Sequence, residues 1–244
     1  MNEIGCLLGV GKEAEVFAFG ELALKLYKPE VSKASSFREA AHLAVVERNG
    51  LSAPRVHAVN EYDGRWGVVM DRVQGPCLGD VMPSTDRMPM LNKMARLHRQ
   101  IHACPGHGLT SMKSRLAANI RRASLLDDAL RERLIRQLHD LPDGDCLCHG
   151  DFHPWNVIGD IVVDWLDACT GDPLADVCRT YVLLRHAAPE LANDYVEAYV
   201  SEAGIKAHDV FAWLSPVAAA RLAEGVPDEE AELLLLAGDI NAGR

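Results

Sequence analysis

The 244-residue sequence has no run of about 18 apolar residues, the length a helix needs to cross a bilayer. Its start, Met1-Asn2-Glu3, lacks the basic stretch of a secretory signal. A soluble, cytoplasmic protein with no membrane partner is the expectation. Seven cysteines, an odd number without a secretory cue, argue against a disulfide framework and for reduced thiols. No low-complexity segment and no repeat with a period of 20–50 residues is present, which removes solenoids and arrays. Basic residues are scarce in one half. Residues 1–140 hold 20 Lys and Arg against 16 Asp and Glu, whereas residues 141–244 hold 5 against 19. Such a half repels nucleic acid and favours cationic ligands; an acidic surface kept for solubility accounts for the same charge.

What is present is an ordinary apolar share, 48%, enough for one large domain or two modest lobes. The first 28 residues alternate apolar and polar positions, with turn residues near 9–11 and at Gly20, and predict strands near 4–9, 13–19 and 22–28. A helix over 36–49, opened by Ser35 or Ser36 and closed at Asn49-Gly50, precedes strands at 55–59 and 66–70 separated by Tyr62-Asp63-Gly64. Gln74-Gly75-Pro76 then breaks the chain, and helical periodicity follows near 86–103, 112–123, 127–140, 173–187, 190–203, 207–224 and 228–237. A strand-rich segment at 146–166 interrupts it. The result is an α+β chain with a β-rich lobe over 1–73 and a mostly helical lobe over 74–244.

In Asn156-Val157-Ile158-Gly159-Asp160-Ile161-Val162-Val163-Asp164, two β-branched runs flank Gly-Asp, a pair suited to a two-residue hairpin turn. Pairing Ile158 with Ile161 sets Val157 opposite Val162 and Asn156 opposite Val163, so Asn156 and Asp164 share the open end. Paired residues lie about 5 Å apart, so an amide oxygen and a carboxylate there can reach one small hard cation such as Mg²⁺. Five residues earlier, Asp151 sits in the turn-prone Gly150-Asp151-Phe152-His153-Pro154, where a carboxylate can orient or deprotonate a hydroxyl. A single Asp in such a turn is commonly only a cap.

His149-Gly150-Asp151-Phe152-His153-Pro154-Trp155-Asn156, then Val163-Asp164-Trp165, then Gly171-Asp172-Pro173 with Asp176, strongly resemble the aminoglycoside phosphotransferase and choline kinase-like family, a relative of the protein kinases. The resemblance implies a two-lobed protein-kinase-like fold and transfer of phosphate from ATP, or GTP, to a small-molecule hydroxyl. It implies Asp151 as catalytic base, Asn156 and Asp164 as magnesium ligands, and Asp176 as the anchor of the catalytic loop.

On the nucleotide side, Leu8-Gly9-Val10-Gly11-Lys12 can fold over phosphates through backbone N–H groups, although Ala14 stands where a third glycine would complete the kinase pattern. Ala23, Lys25 and Tyr27 share one face of the third strand, and a lysine among apolar neighbours needs an anion or an exit to water. Ala23-x-Lys25 is similar to the kinase strand whose lysine binds phosphates with support from a helix glutamate. Glu39 is the candidate for that glutamate; Ser36-x-x-Glu39 is also a capping box, and Glu47 is the fallback. The resemblance places a hinge at 68–75, with adenine against Met70, the carbonyl of Asp71 and the N–H of Val73.

His98 and His102, at i and i+4, read as packing or surface residues because no zincin glutamate follows His98. Cys146-x-Cys148-His149 reads as a strand entering the loop rather than a zinc site. A metal-dependent hydrolase built on His149, Asp151, His153 and Asp164 is the alternative reading. The acceptor expected on charge is cationic, with an aminoglycoside or another antibiotic as the first candidate and a monomer or homodimer as the assembly.

Overall fold

Alternation in the first 71 residues produces a five-stranded antiparallel sheet in the computed structural model, which describes residues 3–82 and 86–238. Strands β1 (Leu7–Val10), β2 (Ala14–Phe19), β3 (Leu22–Tyr27), β4 (Val56–Tyr62) and β5 (Arg65–Asp71) lie in the order β1-β2-β3-β5-β4. The β4–β5 turn has Asp63 at φ 50° and Gly64 at φ 76°, the two positive values a type I′ hairpin requires. The period of two sorts the sheet into faces. Leu24, Leu26 and Val69 pack with Phe17, Phe19 and Tyr62 on one. Ala14, Ala23, Tyr27, Val68 and Met70 cluster on the other, the side on which β3 carries Lys25.

Helix α1 (Lys33–Arg48) packs against β4 and β5. It starts three residues before the expected point, because Ser32 is the N-cap, its side chain accepting from the Ala34 N–H at 3.3 Å, while Ser36 donates to the Lys33 carbonyl. Its buried stripe includes Ser36, Glu39 and His42 beside Leu43 and Val46. Polar groups on a buried helix face need partners inside the fold, and those of Glu39 and His42 belong to the site below.

Two compact units emerge: residues up to Val81 together with Trp155–Asp167, and Met82–Pro154 together with the chain from Ala168 onward. The first also holds the short helix α2 (Leu78–Val81) and the two-stranded ladder β7 (Val157–Ile158) and β8 (Ile161–Val162). That ladder joins the sheet-bearing unit through a hydrogen bond from Val162 N–H to the Ser52 carbonyl, 3.1 Å, and a bridge between Ile158 and Cys77.

The second unit is helical: α3 (Arg87–His102), α4 (Met112–Arg122), α5 (Asp128–Asp140), α6 (Pro173–Ala187), α7 (Pro189–Ala203), α8 (Ala207–Phe211), α9 (Leu214–Arg221) and α10 (Glu230–Gly238). Asp86, Ser111, Asp127 and Asp172 cap four of these through their side chains. α6 is buried from Ala175 to Leu184 and is central to the unit. The expected single helix over 207–224 is two, α8 and α9. Pro216 has no N–H, and its ring clashes with the carbonyl four residues back, so a straight helix cannot run through Ala212. The strand β6 (Cys146–Cys148) also departs from expectation, pairing with a further strand, β9 (Cys169–Gly171), in the register Leu147 to Thr170. Among the described residues no helix is long and apolar enough to cross a membrane.

Candidate active site

In the first unit the 156–164 hairpin has the register its sequence predicts: Ile158 pairs with Ile161, Val157 with Val162, and the Val163 N–H donates to the Asn156 carbonyl at 3.0 Å. Gly159 at φ 60° with Asp160 at negative φ fits a type II′ turn. Beyond β8 the chain does something the alternation did not foretell. Asp164 takes φ 63°, a left-handed conformation uncommon outside glycine and held only where neighbours over-determine it. Here the neighbour is Trp165, fully buried, whose indole N–H donates back to the Val162 carbonyl at 2.9 Å and whose own carbonyl meets His42 Nδ1 at 3.0 Å. The hydrogen bonds on both sides of the bend aim the Asp164 carboxylate at Lys25.

Lys25 Nζ lies 2.8 Å from Glu39 Oε1 and 2.7 Å from Asp164 Oδ1. Tyr27, two residues along the same face, donates its hydroxyl to Glu39 Oε2. Burial by itself would discharge Lys25, but Glu39 and then Asp164 outweigh it and push the ammonium above the usual lysine range. Burial pushes the Glu39 carboxyl up against the pull of Lys25, the opposite sense for an ion pair; the two short lysine contacts support the ionised pair. Glu39 therefore serves β3 and does not cap its own helix, while Glu47 is half-exposed and reaches Arg55 at 3.8 Å. Lys25→Met strands a carboxylate that is 1% exposed, so a loss of about 3–5 kcal/mol in denaturant unfolding is expected, most of it regained in Lys25→Met/Glu39→Gln.

The other residues assigned to the nucleotide side lie in the same unit. Ala23 and Met70 are paired across β3 and β5 and belong to the same apolar cluster, with Leu166 joining it. Asp71 ends β5, its carboxylate accepting from the Arg55 N–H at 3.1 Å and meeting His57 Nε2 at 2.7 Å. The His57 hydrogen bond holds its carboxyl below the usual range, despite partial burial. Val73 follows in irregular, half-buried chain. Gly9 and Gly11 bracket the β1–β2 connection, where the Gly11 N–H donates to the Ala14 carbonyl at 2.8 Å. Neither adopts positive φ; a Cβ on Gly9 would meet nothing within 4 Å, so open space is what that glycine provides.

In the second unit Asp151 stands in the loop after β6, its side chain 27% exposed. Gly150, at φ 79°, makes the sharp turn before it. His153 Nε2 lies 3.5 Å from Asp151 Oδ2 and Arg179 Nη2 lies 3.9 Å from Oδ1. Burial would raise the Asp151 carboxyl, but His153, then Arg179 and His149, hold it well below the usual carboxylate range. A carboxylate so held is ionised at neutral pH.

The loop itself hangs on Asp176, fully buried in the first turn of α6. Its Oδ2 accepts from the His149 N–H at 2.6 Å and its Oδ1 from the Gly150 N–H at 2.9 Å. His98 Nε2 at 3.0 Å and His102 Nε2 at 3.3 Å donate to the same Oδ2. The far nitrogens of these imidazoles meet the hydroxyls of Tyr195, 2.6 Å, and Tyr199, 2.7 Å, on α7. Burial would raise the Asp176 carboxyl; the two histidines keep it well below the usual range. Of the packing-or-surface reading of His98 and His102, packing holds, since both are buried, and each is also hydrogen-bonded to the loop's anchor. The available signal was a matched one: His98/His102 and Tyr195/Tyr199 are both i, i+4 pairs. Arg179 and Glu224 were missed altogether, for nothing near them in sequence marks them.

The metal-hydrolase alternative finds no support. Among the described residues the one cluster of three or more His, Cys, Asp or Glu ligand atoms within metal-binding reach is His98, His102 and Asp176; His149, Asp151 and His153, within the same unit, form none. Comparison with known proteins agrees. A profile of the phosphotransferase enzyme family matches residues 7–215. An aminoglycoside 3'-phosphotransferase from Streptomyces fradiae is 29% identical over 214 residues, spanning 80% of this chain and 74% of the relative. Among solved structures, the choline kinase LicA from Streptococcus pneumoniae superposes with TM-score 0.62 at 15% identity, over 99% of this chain and 89% of its own. The streptomycin–ATP ternary complex of APH(2'')-IIa superposes with TM-score 0.58 at 18% identity, over 96% and 91%. These likenesses establish the protein-kinase-like fold. With a family match across most of its length and that fold, the chain belongs to the phosphotransferase enzyme family and is a small-molecule kinase.

Proposed function

We propose that this kinase transfers the γ-phosphoryl group of ATP to a hydroxyl of a cationic small molecule, an aminoglycoside in the first instance. The observation that carries the reading is the ammonium of Lys25 held between Glu39 and Asp164, a charge kept in an apolar face for an anionic ligand. The nucleotide-binding lobe is residues 1–73, with Gly9 and Gly11 leaving room for phosphates, Lys25 holding them, Glu39 fixing Lys25, and Ala23, Met70, Asp71 and Val73 receiving the base. The acceptor belongs to residues 74–244. Asn156 and Asp164 offer hard oxygen donors that fit Mg²⁺, whose chemistry is to neutralise charge on the phosphates. Asp151 takes the acceptor's hydroxyl proton as the acceptor oxygen bonds the γ-phosphorus and the bridging oxygen departs with ADP.

Support for the acceptor class comes from the net charge of residues 141–244, 5 basic against 19 acidic, and from the name of the Streptomyces fradiae relative. The test is ADP release from magnesium–ATP and magnesium–GTP against kanamycin, streptomycin, erythromycin, choline and simple sugars. Turnover confined to an aminoglycoside is the expected result. Turnover confined to choline, a sugar or erythromycin overturns the acceptor assignment, and turnover with none of the panel overturns the class.

A further inference from the structure

Asp151 does not sit alone with its loop. Arg179, on α6 three residues beyond Asp176 and only 8% exposed, donates Nε–H to the Gly150 carbonyl at 3.0 Å. Its Nη2 lies 2.6 Å from Glu224 Oε1 and 3.9 Å from Asp151 Oδ1. Glu224 belongs to the 3-10 turn that follows α9, and Arg221, at the end of α9, holds it from the other side. Arg221 also grips Glu229 through two contacts of 2.7 Å. Asp151, Arg179, Glu224, Arg221 and Glu229 thus form a line of alternating charge running from the catalytic loop to the turn before α10. The groups facing Asp151 are His149 and His153 from its own loop, Arg179 from α6 and Glu224 from the turn after α9.

The geometry has a chemical meaning. A guanidinium presents its donors in a fixed plane, so one bond at Nε and another at Nη2 set the position and tilt of the whole group. Gly150 and Glu224 supply those two bonds. Arg179 is then held at 3.9 Å from Asp151, near enough to favour the ionised carboxylate and too far to occupy an oxygen with a hydrogen bond. Without Glu224 the guanidinium is released to close on Asp151 as a paired fork, which would occupy the oxygens a substrate hydroxyl must reach. Without Arg179 the Gly150 carbonyl, at the positive-φ corner, loses its brace.

We infer that Arg179 is a positioning residue for Asp151 and that Glu224 sets its reach, so that the turn after α9 governs the chemical step without touching substrate. The inference rests on Asp151 as the acceptor of the hydroxyl proton. The experiment measures kcat and KM for magnesium–ATP with the fastest acceptor of the panel above and with water, in wild type and in Arg179→Gln, Arg179→Lys, Glu224→Gln and Arg179→Gln/Glu224→Gln, with thermal melts of each. Arg179→Gln is expected to lower kcat about 10–100-fold, with KM for ATP within about twofold. Added guanidinium chloride at a concentration that leaves Tm unchanged should restore part of kcat, and Arg179→Lys should regain part, since it keeps charge but not the fork. Glu224→Gln should also lower kcat, and the double variant should be no worse than Arg179→Gln, because no guanidinium remains to close on Asp151. Strict additivity, or a folded Arg179→Gln with kcat within twofold of wild type, overturns the inference. So does loss that tracks Tm and resists both guanidinium and lysine, the mark of a merely structural arginine. If Asp151→Asn itself keeps full turnover, the failure belongs to the proposed function and not to Arg179.

Discussion

Asp151→Asn is expected to lower kcat by about 10²–10⁴-fold, the range for removal of a positioned general base, while leaving KM for magnesium–ATP within about twofold. Asparagine matches the carboxylate in shape but cannot take a proton. The groups assigned to the nucleotide, Lys25 with Glu39 and Asp164, are left intact by the change. Three cationic or polar groups, His153, Arg179 and His149, act on the Asp151 carboxylate. Arg179 keeps Glu224 as a partner after the substitution, so the fold should survive. Steady-state kinetics with a melt of the same preparation checks this. A folded variant retaining more than a tenth of wild-type kcat removes Asp151 from the mechanism.

Asp176→Ala is expected to lower stability by about 3–5 kcal/mol in denaturant unfolding. One carboxylate accepts two backbone N–H groups and two imidazoles inside a region without solvent exposure, and its removal leaves all four donors unsatisfied. Asp176→Asn should recover little, because an amide offers one acceptor and turns two donor protons toward groups that also donate. Turnover should fall with stability, since the same hydrogen bonds fix the loop that carries Asp151. The pH dependence follows from sign. The Asp176 carboxyl is depressed in the folded protein, so its contribution is present above the ordinary aspartate range and is lost as pH falls below it. His98 is pushed down to about 3, by burial first and by the neighbouring His102 next. The unfolded chain binds that proton near 6.5 and the folded chain does not, so stability falls from about pH 6.5 downward by about 1 kcal/mol per pH unit. Both groups act in the same direction, and acid unfolding of wild type against His98→Gln checks the histidine share. A His98→Gln profile as steep as wild type between pH 6.5 and 4 counts against it.

What the linear sequence determined is the part governed by short-range rules. A side-chain period of two with Gly and Asp at the turns set the strands of the sheet and the register of the 156–164 hairpin. Capping residues such as Asp172 set helix starts, and the motif from His149 to Asp176 marked the family. These features depend on neighbours within a few residues, so they are written locally. Tertiary structure decided what no local rule contains. Glu39 was both a helix cap and a partner for Lys25 on paper, and only the packing of α1 against the sheet chose the partner. The left-handed bend at Asp164 exists because His42 and the Trp165 indole hold the chain on both sides of it. His98 and His102 became anchors because α3 meets α6 and α7 over Asp176. Arg179 and Glu224, 45 positions apart, meet because the end of α9 returns to the loop after β6. Buried polar groups must find partners wherever the fold provides them, and in this protein those partners lie up to 139 residues away, as Lys25 and Asp164 do.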